Sequence, residues 1–285
     1  MILRWLPIIV ILILASCLNA AIHAETLSVT ASILPIADWA RNVGGDRVSV
    51  TCVLSAGSSP HTFAPSPSDV KHLASADVFL MVGVGLEEWA EKFVSAAGRP
   101  TLKVCRLGEA IGYKAGDNPH LWLDPVLAER MVKEIARIFS QMEPASAPLF
   151  QQNAETYMQR LSSLHERFDA RFKQLTGRKV VQFHPAFTYL LRRYGIGELD
   201  IIEHHPGKSP NSRHLQKIIV ALRKEKRRVV LMEPQLSSKA AATVAKESQA
   251  KLLVLDPLGD PTIEERSTYL KLMEFNLDNL LINLK

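Results

Sequence analysis

Eight short runs of apolar and β-branched residues recur along the chain, and helical patterns separate most of them. Continuous apolar strands that alternate with helices are typical of parallel sheets covered on both faces. The runs fall into two sets of four, so the sequence predicts an α/β fold with two parallel-sheet lobes. The predicted strands are Leu27 to Thr30, Val48 to Leu54, Val78 to Val82, Leu102 to Val104, Val180 to Phe183, Ile201 to Ile202, Val229 to Met232 and Leu252 to Leu255.

A long amphipathic segment separates the two sets of strands. Its apolar residues are spaced only by three and four positions, which is typical of one helix with a single buried face. Ser146 is a candidate N-cap and Gly177 a candidate C-cap glycine. We therefore expect lobes at residues 25–145 and 178–285, joined by one rigid helix over residues 146–177. Its length would be roughly 45 Å at 1.5 Å per residue.

The first 24 residues have the pattern of a secretory signal peptide: one early cation, a short apolar run and then small residues. The apolar run is shorter than the ~20 residues that span a bilayer, so a transmembrane anchor is the weaker alternative. Cleavage before Glu25 would give a soluble exported protein. The segment ending at Cys17 resembles a bacterial lipoprotein box, in which Cys17 would be acylated. We expect a periplasmic protein, with lipid anchoring at Cys17 as the alternative.

The charge of the mature chain argues against a nucleic-acid partner. Removing residues 1–24 lowers the formal net charge from +5 to +4, because Arg4 is the only charged residue there. The sequence has no arginine-rich stripe interleaved with aromatic residues, which nucleic-acid surfaces need. The basic run at residues 223–228 is interpreted as the solvated end of a helix.

Cysteine spacing does not suggest a local metal site. Besides Cys17, the chain contains only Cys52 and Cys105, and both lie in apolar segments. Either a disulfide or two buried thiols fits this pair. Because no Cys-x-x-Cys spacing occurs, any metal site must be assembled from distant parts of the chain.

Four candidate metal ligands stand at the ends of predicted elements. His61 lies in a proline-rich turn after the second strand, and His120 lies in the loop before a helix predicted to begin at Asp124. His184 and Asp256 each end a strand and precede a proline. Open parallel sheets bind ligands at the carboxyl ends of their strands. Each residue alone also fits a structural role, as a packed histidine or a capping aspartate, but together they indicate a site.

Five segments around these residues resemble those of the cluster A-I, or cluster 9, metal-binding proteins of bacterial ABC transporters. The resemblance covers essentially the whole mature chain and implies two α/β lobes joined by a rigid helix, with the metal between the lobes. It implies His61, His120, His184 and Asp256 as metal ligands, and a membrane permease as the partner. The segments are His61 to Asp69, Asn118 to Pro125, Phe183 to Phe187, Glu233 to Gln235 and Leu255 to Gly259.

The third ligand position indicates the metal. In the manganese-type branch of that family this position is usually glutamate, whereas His184 resembles the zinc branch. Imidazole suits zinc better than manganese, and three nitrogens with one oxygen make a closed tetrahedral zinc set. We expect Zn²⁺ as the transported ion, with a manganese or iron receptor as the alternative. Because a ligand imidazole must be neutral, affinity is expected to fall below about pH 6.5.

The remaining polar residues leave two readings open. His204, His205 and His214 fit either a polar loop near the lobe interface or transient metal capture. Glu233 precedes a proline at a strand end, and we expect it to orient a ligand imidazole rather than to bind the metal.

Other classes of function fit the sequence less well. A metal-dependent hydrolase needs an open metal position with a base beside it, and no His-Glu-x-x-His motif occurs. An adhesin on the same fold is a further alternative, because a binding surface leaves little trace in one sequence. We therefore expect a monomeric receptor that is not an enzyme.

Overall fold

In the part of the chain that the structure describes, the fold is built on eight parallel strands. A computed structural model of the protein describes residues 26–204, 208, 210–236 and 239–285, so the predicted signal peptide, Cys17 and His205 lie outside the described residues. The strands are β1 (Leu27–Ala31), β2 (Val48–Cys52), β3 (Val78–Met81), β4 (Lys103–Arg106), β5 (Lys179–Gln182), β6 (Gly197–Ile201), β7 (Val229–Met232) and β8 (Lys251–Val254).

Each lobe is centred on one four-stranded sheet. The strand orders are β2-β1-β3-β4 and β6-β5-β7-β8, and all pairings are parallel. The two orders are the same when each lobe is counted from its own first strand. In both sheets the second strand lies on one side of the first strand and the third strand lies on its other side. Open α/β sheets bind ligands at the point where the strand order reverses in this way. The predicted α/β fold with two parallel-sheet lobes is confirmed.

One predicted strand was displaced. The sequence placed the sixth strand at Ile201 to Ile202, whereas β6 covers Gly197–Ile201. This strand pairs only with β5, at the edge of its sheet. Polar Glu198 and Asp200 alternate with apolar residues along it, because an edge strand has one face toward solvent. A continuous apolar run therefore marks only the end of this strand.

Helices flank the sheets. Among the residues that the structure describes, no helix combines the length and the apolar character needed to cross a membrane. The helices are α1 (Leu34–Gly44), α2 (Pro67–Ser75), α3 (Ala90–Ala97), α4 (Leu107–Ala110), α5 (Pro125–Met142), α6 (Ala147–Phe172), α7 (Thr188–Arg193), α8 (Ser212–Lys224), α9 (Lys239–Ser248) and α10 (Tyr269–Leu284).

Helix α6 is the long helix between the lobes. Its 26 residues span about 39 Å, and all its predicted apolar positions are buried. Ser146 does not cap it with its side chain. Instead Ser146 ends a short 3₁₀ turn and its hydroxyl bonds Glu143 Oε1 at 2.9 Å. A second 3₁₀ turn follows the helix, and Gly177 adopts the left-handed conformation beyond it, at φ +84°. The lobe limits at residues 25–145 and 178–285 remain predictions.

Among the described residues, the largest cluster of buried apolar side chains runs through both lobes, and each lobe has a smaller cluster of its own. The largest cluster includes buried residues of β1 and β3 in the first lobe, β5 and β7 in the second, and the helices α1, α5, α6 and α10. The chain's last helix closes the first lobe, because Tyr269 of α10 packs edge-on against Trp39 of α1 with ring centroids 4.9 Å apart. Both side chains are fully buried. The lobes therefore share packing rather than only a connecting helix.

The two described cysteines do not pair. Cys52 ends β2 and Cys105 lies in β4, and the strand order places three strand intervals between them. This separation is roughly 14 Å, whereas disulfides need Cα atoms within about 7 Å. Both are half-buried free thiols, and burial raises the pKa of Cys52 to about 12.

Candidate metal centre

His61 is held by a rigid loop of the first lobe. The loop follows β2 and ends in a capping box at the start of α2, where Ser66 and Asp69 bond each other's backbone N–H groups. Below the loop, Trp89 donates its indole N–H to the Pro60 carbonyl at 3.1 Å. Because the residue before His61 is fixed in this way, the imidazole has a defined position.

His120 lies in the approach to α5. Asp124 caps that helix by accepting from Val126 N at 2.9 Å, as predicted from the sequence. The Asn118 side-chain oxygen accepts from the His120 backbone N–H at 3.0 Å and lies 2.8 Å from His120 Nδ1. Its amide nitrogen donates to the Pro185 carbonyl in the second lobe, which fixes the amide orientation. Nδ1 of His120 therefore carries the proton, and Nε2 is left with a free lone pair.

His184 belongs to the second lobe and follows β5 in extended conformation. Its Nδ1 lies 3.0 Å from Glu233 Oε1, and both side chains are almost fully buried. Because a carboxylate only accepts hydrogen bonds, Nδ1 donates and Nε2 is free to bind an ion. Glu233 thus stands where the sequence placed it, as the partner of a candidate ligand.

The three imidazoles converge between the lobes. One ring nitrogen of each lies within 4.8 Å of those of the other two, and their ring centroids are 4.8–5.3 Å apart. The Nε2 atoms of His61 and His120 are separated by 3.2 Å. Two nitrogens bound to one tetrahedral zinc at about 2.0–2.1 Å lie about 3.3 to 3.4 Å apart. The spacing therefore suits a shared metal ion.

Electrostatics keep two of these imidazoles neutral. Burial first, and then electrostatic repulsion from His184, lowers the pKa of His61 to about 4. The pKa of His120 is well below its usual value because of burial first, and then electrostatic repulsion from His184 and His61. Neutral imidazoles have the lone pairs that a transition metal needs.

Asp256, the fourth predicted ligand, lies outside this group. It follows β8 and is buried, but its carboxylate contacts protein donors. Oδ1 accepts from Gln235 Nε2 at 2.8 Å and from two backbone N–H groups in the turn that follows. Oδ2 pairs with Arg266 Nη1 at 2.7 Å. Its role as a metal ligand remains a prediction.

Sequence reasoning assigned no role to Asn118 or Arg266. Asn118 stands two residues before His120, and an asparagine at that offset commonly bonds nearby backbone, which was the available signal. Arg266 reaches Asp256 from ten residues further along the chain, and no local pattern marks that contact.

A second group of possible ligand atoms lies in the second lobe. One atom each from Asp200, His204 and His214 lies within 4.8 Å of the others. His205, the remaining histidine of that segment, is outside the described residues.

Comparison with known proteins identifies the family of the chain. Residues 29–281 match the sequence profile of the ZnuA family, described as "Zinc-uptake complex component A periplasmic". The zinc-binding lipoprotein AdcA of Streptococcus pneumoniae (strain ATCC BAA-255 / R6) is 27% identical, over 94% of this chain and 58% of AdcA. The chain thus spans less than two thirds of that relative. The high-affinity zinc uptake system protein ZnuA of Bacillus subtilis (strain 168) is 25% identical over 97% of both chains.

The fold agrees with a solved structure as well. A crystal structure of ZnuA superposes with a TM-score of 0.83 at 24% identity, over 92% of this chain and 100% of the other. At that identity the likeness speaks to the fold alone. The family profile covers most of the chain, and it confirms the resemblance inferred from the motifs around the candidate ligands. The chain therefore belongs to the ZnuA family of metal-binding proteins.

Proposed function

We propose that the chain captures a zinc ion between its lobes and delivers it to the membrane permease of an ABC transporter. The convergence of three imidazoles, two from the first lobe and one from the second, carries this proposal. The names of the zinc-binding and zinc-uptake relatives support the choice of ion. The protein would act as a monomer outside the cytoplasm. Lipid attachment at Cys17 remains a prediction.

The ligand chemistry supports capture without catalysis. Asn118 and Glu233 bond the Nδ1 atoms of His120 and His184, so the Nε2 atoms are available for a metal. Fixing the second ring nitrogen also orients each ring and raises its basicity as a ligand. Three imidazole nitrogens favour zinc over manganese, which prefers oxygen ligands.

Asp256 is the proposed fourth ligand, at the end of the strand beyond Glu233. To bind the ion, one of its oxygens would exchange a present partner for the metal. Oδ2 has one side-chain partner, Arg266, whereas Oδ1 has three donors. Release of Arg266 is therefore the expected local change on zinc capture.

Zinc titration of the purified, metal-free protein tests the proposal. Wild type should bind one zinc tightly, and His184→Ala should bind that ion about 100-fold or more weakly, because the second lobe's imidazole is lost. His72→Ala removes an exposed histidine of α2 and should keep the tight site. In Asp256→Asn, a comparable loss of affinity would support the fourth ligand, and an unchanged affinity would remove Asp256 from the ligand set.

Competition among metals tests the choice of ion. With zinc, manganese and iron(II) offered together, the wild-type protein should retain zinc. Retention of manganese or iron instead would overturn the zinc assignment but keep the receptor role. Turnover of an ester or peptide substrate would favour the hydrolase alternative.

A further inference from the structure

A second metal-binding geometry exists away from the three-histidine site. Its members are Asp200, His204 and His214, with one possible ligand atom of each within 4.8 Å of the others. The rings of His204 and His214 have centroids 5.8 Å apart and are inclined by 33°. His204 is exposed and the other two are half-buried, so an ion could reach the group from solvent.

Two regular elements position this group. Asp200 lies in β6, and its Oδ1 accepts from the backbone N–H of Ile201 at 2.9 Å. His214 lies in the first turn of α8, where the Asn211 side chain accepts from its backbone N–H at 2.9 Å. His214 Nε2 lies 2.8 Å from the Ile201 carbonyl. A carbonyl only accepts, so Nε2 carries the proton in the metal-free protein. The same Nε2 lies 3.9 Å from Asp200 Oδ1, and an ion bound between these two atoms would replace that proton.

The group lies at the same edge of the sheet as His184. The backbone N–H of Glu203 donates to the Phe183 carbonyl at 2.7 Å, so the chain beyond β6 runs beside the chain beyond β5. His204 is the residue after Glu203, and His184 is the residue after Phe183. The two histidines therefore stand at equivalent positions of neighbouring chain segments, which are about 4.8 Å apart. Because β6 is the edge strand, the second group stands on the outer side of the proposed zinc site.

The donor set defines the kind of ion. Two imidazoles and one carboxylate suit borderline divalent transition metals such as zinc, with water in the remaining positions. Lys217 Nζ lies 3.4 Å from Asp200 Oδ2 and competes with an incoming cation. A site with three protein ligands, high exposure and a competing ammonium should be weaker than the three-histidine site.

We propose that Asp200, His204 and His214 form a second, weaker binding site for a zinc-class divalent ion at the edge of the second lobe's sheet. An ion bound there is held at the same sheet edge as His184. This binding does not require the proposed zinc-delivery role, since none of its ligands belongs to the first site.

Calorimetric titration of metal-free full-length protein with ZnCl₂ tests the proposal. Wild type should bind two equivalents, one tight and one weak. The variant His204→Ala/His214→Ala should keep the tight equivalent with unchanged affinity and lose the weak one. His72→Ala, which removes an exposed histidine elsewhere, should keep both equivalents. His184→Ala should lose the tight equivalent and keep the weak one, which separates failure of the two proposals.

A substitution that strengthens the site gives an independent test. Lys217→Gln removes the cation beside Asp200, and the weak equivalent should bind about two- to five-fold more tightly, the worth of an exposed ion pair. The single exposed-residue variant His204→Ala guards against a folding defect in the double variant. A single equivalent in wild type, a weak equivalent that persists in the double variant, or no change in Lys217→Gln would overturn the proposal.

Discussion

At the scale of single residues, the surroundings of His61 and His120 determine the protonation state of their imidazoles. His120 and His184 are 97% buried, and His61 is half-buried among them. Protonated rings of His61 and His120 would lack solvent and be repelled by their neighbours, so these two residues favour lone pairs over protons. Because the pKa values of His61 and His120 are lowered, protons compete with a metal ion for these imidazoles only at a lower pH than for an ordinary imidazole. We therefore expect these two candidate ligands to keep their affinity for the metal below pH 6.5, the approximate value at which the sequence predicts a loss.

The lowered pKa of His61 also makes the stability of the metal-free protein depend on pH. The ordinary imidazole pKa is 6.5, and the folded protein lowers it to about 4. Between these values the unfolded chain binds more protons than the folded chain, so stability falls as pH decreases. As the pH is lowered from about 7 to 4.5, the melting temperature of His61→Ala should therefore decrease less steeply than that of wild type. His72→Ala should follow wild type, and identical slopes for all three proteins would contradict the shift.

The sequence could identify candidate ligands and one of their partners, Glu233, but not the other partners. His61, His120 and His184 stand at the ends of elements, where parallel sheets place binding residues, and these three meet in the structure. Glu233 could be placed because it ends a strand of the same sheet. The contact between Asp256 and Arg266 could not, because it depends on how the turn after β8 folds back.

At the scale of elements, strand and helix patterns were readable where one face is continuously apolar. The seventh strand has the predicted limits, Val229–Met232, because it lies inside its sheet. The edge strand β6 was misplaced because its alternating polar residues broke the apolar run. Ser146 occupies the N-cap position of α6 as predicted, but its side chain bonds Glu143 instead of the helix backbone.

Asp124 joins two elements from different lobes. It caps α5, and its carboxylate accepts three hydrogen bonds from Arg193 of α7 at 2.8–3.0 Å. Asp124→Ala should lower the free energy of unfolding by about 2–3 kcal/mol, because it removes the cap and leaves the guanidinium without its partner. Asp124→Asn keeps a capping oxygen and should cost about 1 kcal/mol less.

Urea unfolding of the metal-free variants measures these differences. Arg137→Ala is the matched control, because Arg137 forms an exposed ion pair with Glu134 on the same helix. Loss of this ion pair should lower the free energy of unfolding by less than about 1 kcal/mol. Equal stability of Asp124→Asn and Asp124→Ala would show that the cap contributes nothing.

At the scale of the whole molecule, contacts that do not involve metal join the lobes. The Trp122 indole donates to the Pro257 carbonyl at 2.6 Å, and the Tyr269 hydroxyl donates to the Trp122 carbonyl. Asn118 bonds the Pro185 carbonyl, and α6 packs along the shared core. Such a molecule has little freedom for a wide hinge motion.

Small-angle X-ray scattering with and without zinc tests this rigidity. The radius of gyration should change by less than about 1 Å, as in complexes whose partners are already arranged for binding. His184→Ala, measured at the same zinc concentration, controls for non-specific compaction. A decrease of several ångströms on zinc binding in wild type alone would instead indicate closure of the lobes about a hinge.

The placement of α10 has a consequence for how the chain folds. Residues 27–106 contain every strand of the first sheet, yet Tyr269 and its neighbours on α10 complete the packing around Trp39. The first lobe therefore cannot finish its core while it emerges ahead of the second. Contacts between such distant parts of a chain form slowly, because a long loop must close first. Until the final helix is made, the nascent protein should remain loosely packed and susceptible to proteases or chaperones.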